Sequence, residues 1–316
     1  MNETETYDVV VVGGGAAGLN GALMLVRSRR RVLVIDSGAP RNAPADGIHG
    51  LLGHDGLPPA ELLARGRAEV RGYGGEVIEA EVIGAERIDD EFVLTLADGR
   101  DVRARRLLVA TGLVDELPDV PGLRERWGRD VVHCPYCHGW EVRDRAIAVL
   151  GSGPPSVHHA MLFSQLSDDV TLVTHTLGLP DDEQRRLLEA RGVRVVEGTV
   201  TGVRVEDDRL TGLELADGSL VPAGAVAVAT RLHARVGALE GLGLKAVPHP
   251  SGIGEHVPTE MAGVTDVPGI WAAGNVTDLT AQVGASAAAG ALAGAHLNAD
   301  LVHADAERVA AATAPR

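Results

Sequence analysis

A chain of 316 residues with a formal charge of −15, 45% hydrophobic and only 3% aromatic residues excludes several classes at once. So acidic a surface repels phosphate backbones and anionic lipid headgroups, and so few rings leave no stacking platform for single strands. No apolar run approaches a membrane span, so neither nucleic acid nor membrane is expected as a partner.

The length suits two domains with ample core, and 40 glycines suit an α/β protein with many tight turns. In chain order, Val9–Val12 is an apolar strand running into Gly13-Gly14-Gly15-Ala16-Ala17-Gly18, then a helical stretch from Leu19 to about Val26. Since a strand already begins at Tyr7, no room is expected before it for a secretory signal. The loop is GxGxxG with the strand before and helix after that a nucleotide site requires. Gly13 and Gly15 permit a tight turn close to a pyrophosphate, Gly18 lets helix pack on strand, and free N–H groups at the helix start meet the negative charge. A second strand, Arg31–Ile35, ends at Asp36, at about the 20-residue spacing expected of a carboxylate that grips a ribose hydroxyl.

The irregular segment that follows carries Arg41, Asn42 and His49. They read either as contacts to the second half of a dinucleotide or as solvated loop residues. Pro59–Tyr73 has an amphipathic helical pattern. Glu76–Ile83 and Phe92–Leu96 alternate like strands, with Asp98-Gly99 as a turn into Val102–Arg105. The apolar run Arg106–Ala110 closes in Thr111-Gly112, where bare backbone can approach a cofactor.

The only two cysteines lie in His133-Cys134-Pro135-Tyr136-Cys137-His138-Gly139-Trp140. Pro135 and Gly139 allow one helical turn, which brings residues three apart within disulfide reach. A thiolate at the start of such a turn, beside a histidine, has a lowered pKa. The pair therefore reads as a reversible dithiol, against the plainer reading of two buried small side chains. A zinc site would draw on a second ligand pair, and none follows, so no metal is expected. Two cysteines make no extracellular framework, and the expected setting is a reducing cytoplasm.

Together these motifs resemble the low-molecular-weight thioredoxin reductases, two-domain FAD proteins with a CxxC next to the flavin. The likeness lies at Gly13–Gly18, at Leu108–Gly112, at the CxxC, and at Gly269-Ile270-Trp271-Ala272-Ala273-Gly274-Asn275 leading into Ala281–Ala287. It implies an α/β fold of two Rossmann-like three-layer domains. The FAD-binding domain, residues 1–115 and 245–316, is discontinuous, and residues 116–244 form an inserted NAD(P)-domain-like module that carries the CxxC. The resemblance gives FAD contacts to Gly13, Gly15, Gly18, Asp36, Thr111, Gly112 and Gly274, with Arg41, Asn42 and His49 as further candidates. Gln282 and Val283 would begin a helix under the flavin ring, where N–H groups favour negative charge. Asn275 stands where the family usually has Asp, an amide in place of a carboxylate. A homodimer is also implied.

In that family a second glycine loop binds NADPH. Here Gly151-Ser152-Gly153 is followed by Pro154-Pro155-Ser156, so two backbone donors are missing where phosphate would be cradled. The next strand, Val170–Val173, ends in Thr174-His175-Thr176, with no arginine for a 2′-phosphate. NADPH binding is expected to be weakened or lost. A second branch with similar losses, the dithiol oxidases related to gliotoxin and holomycin synthesis, has His-Gly and an aromatic after the CxxC, as at His138-Gly139-Trp140. That resemblance implies a small-molecule or peptide dithiol as substrate, dioxygen as acceptor, a mixed disulfide at Cys134, a flavin-facing thiolate at Cys137, and His138 as general base. The alternatives are an NADPH-dependent reductase acting on a thioredoxin-like protein, and a redox-sensing flavoprotein that turns nothing over. His158 and His159 are expected at the surface, and Val226–Arg231 as one buried strand.

Overall fold

The protein is described here by a computed structural model covering residues 6–313. The chain divides into two units. One takes the residues up to Ala43, Leu57–Val114 and those from Leu232 on; the other takes Pro44–Gly56 and Asp115–Arg231.

The first unit opens with β1 (Tyr7–Val12), α1 (Ala16–Arg27), β2 (Val32–Asp36), α2 (Pro59–Gly72), β3 (Glu76–Glu79), β4 (Val82–Ile88), β5 (Glu91–Leu96) and β6 (Asp101–Val109). β1 is buried because parallel neighbours and layers on both faces leave no side exposed; Val10 pairs with Leu33 of β2 and Leu107 of β6. The expected single run Glu76–Ile83 is two strands. β3 extends β2 in parallel, whereas β4 turns to pair antiparallel with β5. Conversely, Val102–Arg105 and the run after it form one strand, β6. Its first half pairs with β5 and its second half with β1 and the returning chain.

β7 (Leu113–Glu116) leads to the second unit. It contains α3 (Leu123–Arg126), β8 (Val131–Val132), α4 (Pro135–His138), β9 (Ile147–Leu150), α5 (Pro155–Phe163), β10 (Val170–Val173), α6 (Asp182–Ala190) and β11 (Arg194–Val196). β12 (Val200–Glu206), β13 (Arg209–Leu215), β14 (Leu220–Pro222) and β15 (Ala225–Val228) follow. Its parallel sheet has the order β11-β10-β9-β15-β8, and β12-β13-β14 form an antiparallel meander. Phe163 of α5 and Leu188 of α6 pack on one face of the parallel sheet, and the meander's Leu213 and Val221 pack on the other. Strand β15 ends at Val228, three residues short of expectation, because Arg231 already begins β16 (Arg231–Ala234).

The returning chain adds β17 (Val247–Pro248), β18 (Gly254–His256), β19 (Ile270–Ala272) and α7 (Val283–Thr313). β19 pairs with β6 and completes a seven-stranded sheet of order β3-β2-β1-β6-β5-β4. Helix α7 crosses α1 at close range. A Cβ at Gly294 would stand 2.5 Å from the Gly21 carbonyl oxygen, and one at Gly290 would fall on that of Ala17. Among the described residues, no helix is long and apolar enough to cross a membrane.

This crossing makes a prediction. Gly290→Val should destabilise the first unit by about 1–3 kcal/mol through overpacking. Gly72→Ala, whose added Cβ meets nothing within 4 Å, should be neutral or stabilise by about 0.5 kcal/mol. Chemical denaturation of both variants checks the contrast.

Candidate redox site

Helix α4 is the single turn foreseen for the CxxC. Cys134 is its N-cap, Pro135 its first residue, and Gly139 closes it. Cys134 and Cys137 are joined in a disulfide with Cα atoms 5.2 Å apart. The Cys137 backbone N–H donates to Cys134 Sγ at 3.1 Å, a bond that strengthens when that sulfur carries charge. The turn follows β8, an outer strand of the parallel sheet, so it sits at a carboxyl end, where such sheets place their sites. Tyr136 and Trp140 flank it at 68% and 66% exposure, with Arg143 stacked over the Trp140 ring.

The half-buried His138 ring makes no hydrogen bond or ion pair among the described residues. It lines a cavity of about 530 Å³ with Asp46, His49 and Glu141. Burial pushes His138 below its ordinary value, Glu141 pushes it back up, His49 down, and Asp46 up. His49 Nε2 stands 3.5 Å from Glu141 Oε1, and its Nδ1 lies 3.4 Å from Asp55. Thus His49 belongs to the same unit as the disulfide, not to that of Arg41 and Asn42. Glu141 and Asp46 were not singled out in the sequence; the only available signal was Glu141's spacing of three from His138.

On another wall of that cavity, Arg126 is buried and donates to Asp130 and Asp208 at 2.8 and 2.6 Å. Asp130 also accepts from the Leu210 N–H, tying the β12–β13 turn to the segment before the cysteines. Arg129 and Arg126 hold Asp208 down at about 2.

The glycine cradle of the first unit fits a flavin dinucleotide. Gly13 has φ +107°, where a Cβ would strike the Ala110 carbonyl. Gly15 is the N-cap of α1, with no side chain capping the helix and no acid in its first turn. A Cβ at Gly15 or Gly112 would meet nothing within 4 Å, so open space lies over both backbones. Gly18 packs on the Gly13 carbonyl. Thr111 Oγ1 is buried without a partner among the described residues, a donor left for a ligand. Asp36 ends β2 and receives Arg67 at 2.8 Å. Gly274 takes φ +83°. Asn275 donates through Nδ2 to the carbonyls of Asp278 and Ala281, at 3.0 and 2.9 Å, bonds an Asp carboxylate could not make. Gln282 precedes α7 and Val283 begins it, leaving the first N–H groups of that helix without intrahelical acceptors. Arg41 and Asn42 are half-buried in the turn after β2.

The second glycine loop is built differently. The buried Ser156 hydroxyl accepts from the N–H groups of Ser152 and Gly153 at 3.2 and 3.4 Å, and it donates to the Leu150 carbonyl. Pro154 and Pro155 bring no N–H to the start of α5. The donors that cradle a pyrophosphate in such a loop are thus occupied from within or missing here. His175 accepts the Val200 N–H through Nδ1 and is likewise engaged. Contrary to the surface placement expected of it, His159 is buried, between His133 and Phe163 at ring distances of 5.7 and 5.1 Å; His158 is exposed. His159 faces inward because α5 lies on the sheet, and its Nδ1 has no partner among the described residues.

Residues 7–295 match the family described as pyridine nucleotide-disulphide oxidoreductase. The crystal structure of HlmI is 50% identical and superposes with a TM-score of 0.89, over 98% of this chain and 97% of that one. An oxidoreductase from Agrobacterium tumefaciens is 35% identical, with TM-score 0.88 over 95% and 99%. Among curated proteins, thioredoxin reductase tcpT of Claviceps purpurea (strain 20.1) is 35% identical over 55% of this chain and 57% of its own length. Thioredoxin reductase of Bacillus subtilis (strain 168) is 27% identical over 55% of each. The chain thus spans little more than half the length of these two curated relatives.

Burial, helped by the neighbouring His133, drives His159 down to about 4, from an ordinary 6.5. Below pH 6.5 the unfolded chain takes up a proton that the folded chain refuses until about pH 4. The stability this ring contributes is therefore whole above pH 6.5 and lost as pH falls through 4, by up to about 3 kcal/mol. His159→Phe should flatten the fall in Tm across that window; an unchanged slope would contradict a neutral buried ring.

Proposed function

Since the chain belongs to the pyridine nucleotide-disulphide oxidoreductase family, whose members are FAD proteins, we propose that it is a flavin-dependent dithiol oxidase. It closes a small-molecule or peptide dithiol to a disulfide, with dioxygen as acceptor and hydrogen peroxide as the second product. One observation carries the choice of oxidase over NADPH-dependent reductase: the Ser156 hydroxyl fills the second glycine loop. FAD, when bound, supplies the two-electron acceptor that reoxidises the cysteine pair and delivers electrons to dioxygen.

In this reading Gly13, Gly15, Gly18 and the start of α1 hold the pyrophosphate. Asp36 takes a ribose hydroxyl, Thr111 and Gly112 line the cofactor, and Asn275, Gln282 and Val283 lie at its flavin end. Tyr136 and Trp140 offer apolar rings to the incoming dithiol. His138, with its imidazole unengaged, takes the proton of the first thiol. The substrate thiolate attacks Cys134 Sγ, the Cys134–Cys137 bond breaks, and Cys137 leaves as thiolate. His138, its first proton passed to solvent, takes the proton of the second thiol, whose sulfur then attacks the first. Cys134 then leaves with the electron pair, its charge met by the Cys137 N–H. Dithiol and dioxygen become disulfide and hydrogen peroxide, so atoms and electrons balance.

With dithiothreitol as dithiol, an oxygen electrode should record one dioxygen consumed and one peroxide formed per dithiol oxidised. Cys134→Ser and Cys137→Ser should abolish turnover, and His138→Gln should slow it about 100-fold. Full turnover by Cys137→Ser would end this reading.

A further inference from the structure

The loop Pro44–Gly56 leaves the glycine-cradle unit in sequence but belongs to the disulfide unit in space. Within it the Gly56 N–H donates to the Ile48 carbonyl at 2.7 Å and the Gly50 N–H to Asp55 at 3.1 Å, so the segment is closed on itself. This closure holds His49, half-buried, between two carboxylates, Asp55 and Glu141. Glu141 in turn stands three residues after His138, and all but Asp55 line one cavity.

We propose that Glu141, clamped by His49, is the counter-charge of His138: a positioning carboxylate that stabilises the imidazolium formed as His138 takes a thiol proton. The inference rests on the base reading of His138 given above. His138 has no hydrogen-bond partner among the described residues, so the charges that line its cavity are what act on its protonated form. Each member has a distinct sign. Glu141 favours protonated His138, whereas the His49 ring opposes it. Asp46, on the same loop, adds to Glu141. From the elements around the cavity, Arg126 of α3 with Asp130 before β8, and Arg129 with Asp208, are already paired with one another. Arg145 before β9, Asp207 of the β12–β13 turn and Arg209 of β13 complete the charged lining and stay the same in every variant below.

The arrangement predicts opposite effects from neighbouring substitutions. In the FAD-loaded, oxidised protein, NMR titration of the His138 ring should shift to lower pH in Glu141→Gln and to higher pH in His49→Gln. The acid limb of dithiothreitol oxidation should move the same way in each variant. Glu141→Gln should also lose on the order of tenfold in plateau rate, less than removal of the base, and Glu141→Asp should restore most of it. An effect on folding alone would lower rates without moving the two titrations apart. A His138 titration unchanged in Glu141→Gln, or shifted the same way in both variants, overturns the proposal. His138→Gln separates the two readings: if it turns over as fast as the parent, the base reading itself fails. If it is slow while the Glu141→Gln titration is unmoved, only the counter-charge fails.

Discussion

One helical turn, Pro135–His138, is the constraint from which the chemistry of this chain follows. It brings two cysteines three residues apart to a Cα separation of 5.2 Å, points the Cys137 N–H at Cys134, and ends on a histidine with no hydrogen bond among the described residues. Because Cys134 is the N-cap, the Cys137 N–H lies in the first turn and is free of the helix ladder, whereas a strand would turn residues three apart to opposite faces. Proline at the first position starts the turn, and glycine after the last lets the Pro135 carbonyl and Leu166 approach where a Cβ would clash.

Two glycine loops of similar sequence then differ in what occupies them. At Gly13–Gly18 the helix start is bare, open space lies over Gly15, and a threonine hydroxyl nearby is buried without a partner among the described residues. At Gly151–Ser156 the corresponding donors meet a serine hydroxyl of their own helix, and two prolines remove the others. A phosphate would gain its cradle in the first loop without breaking anything; in the second it would have to displace an internal, fully buried hydroxyl. The energetic contrast follows from hydrogen bonding alone, because an unpaired buried donor is costly and a paired one is not.

Local pattern reveals much of this in the sequence, and partner choice accounts for what it hides. The alternation of β5 and the apolar run of β1 mark them as strands, and strand–glycine–helix order marks both loops. The break between β3 and β4 is invisible in Glu76–Ile83 because each half alternates equally well and only the neighbouring strand differs. Ser156 is legible as a departure from glycine, yet its capture of two N–H groups requires knowing how the loop curls. His159 and His158 are indistinguishable until the face of α5 that meets the sheet is fixed. His49 and Glu141 lie 92 positions apart, and no spacing rule links them.

The most direct test of the central claim is anaerobic reduction of the yellow holoprotein, followed at the flavin absorbance, with dithiothreitol in one cell and NADPH in another. The account predicts that the dithiol bleaches the protein, that air restores its colour, and that NADPH leaves it yellow. Rapid bleaching by NADPH with little effect of the dithiol would contradict it.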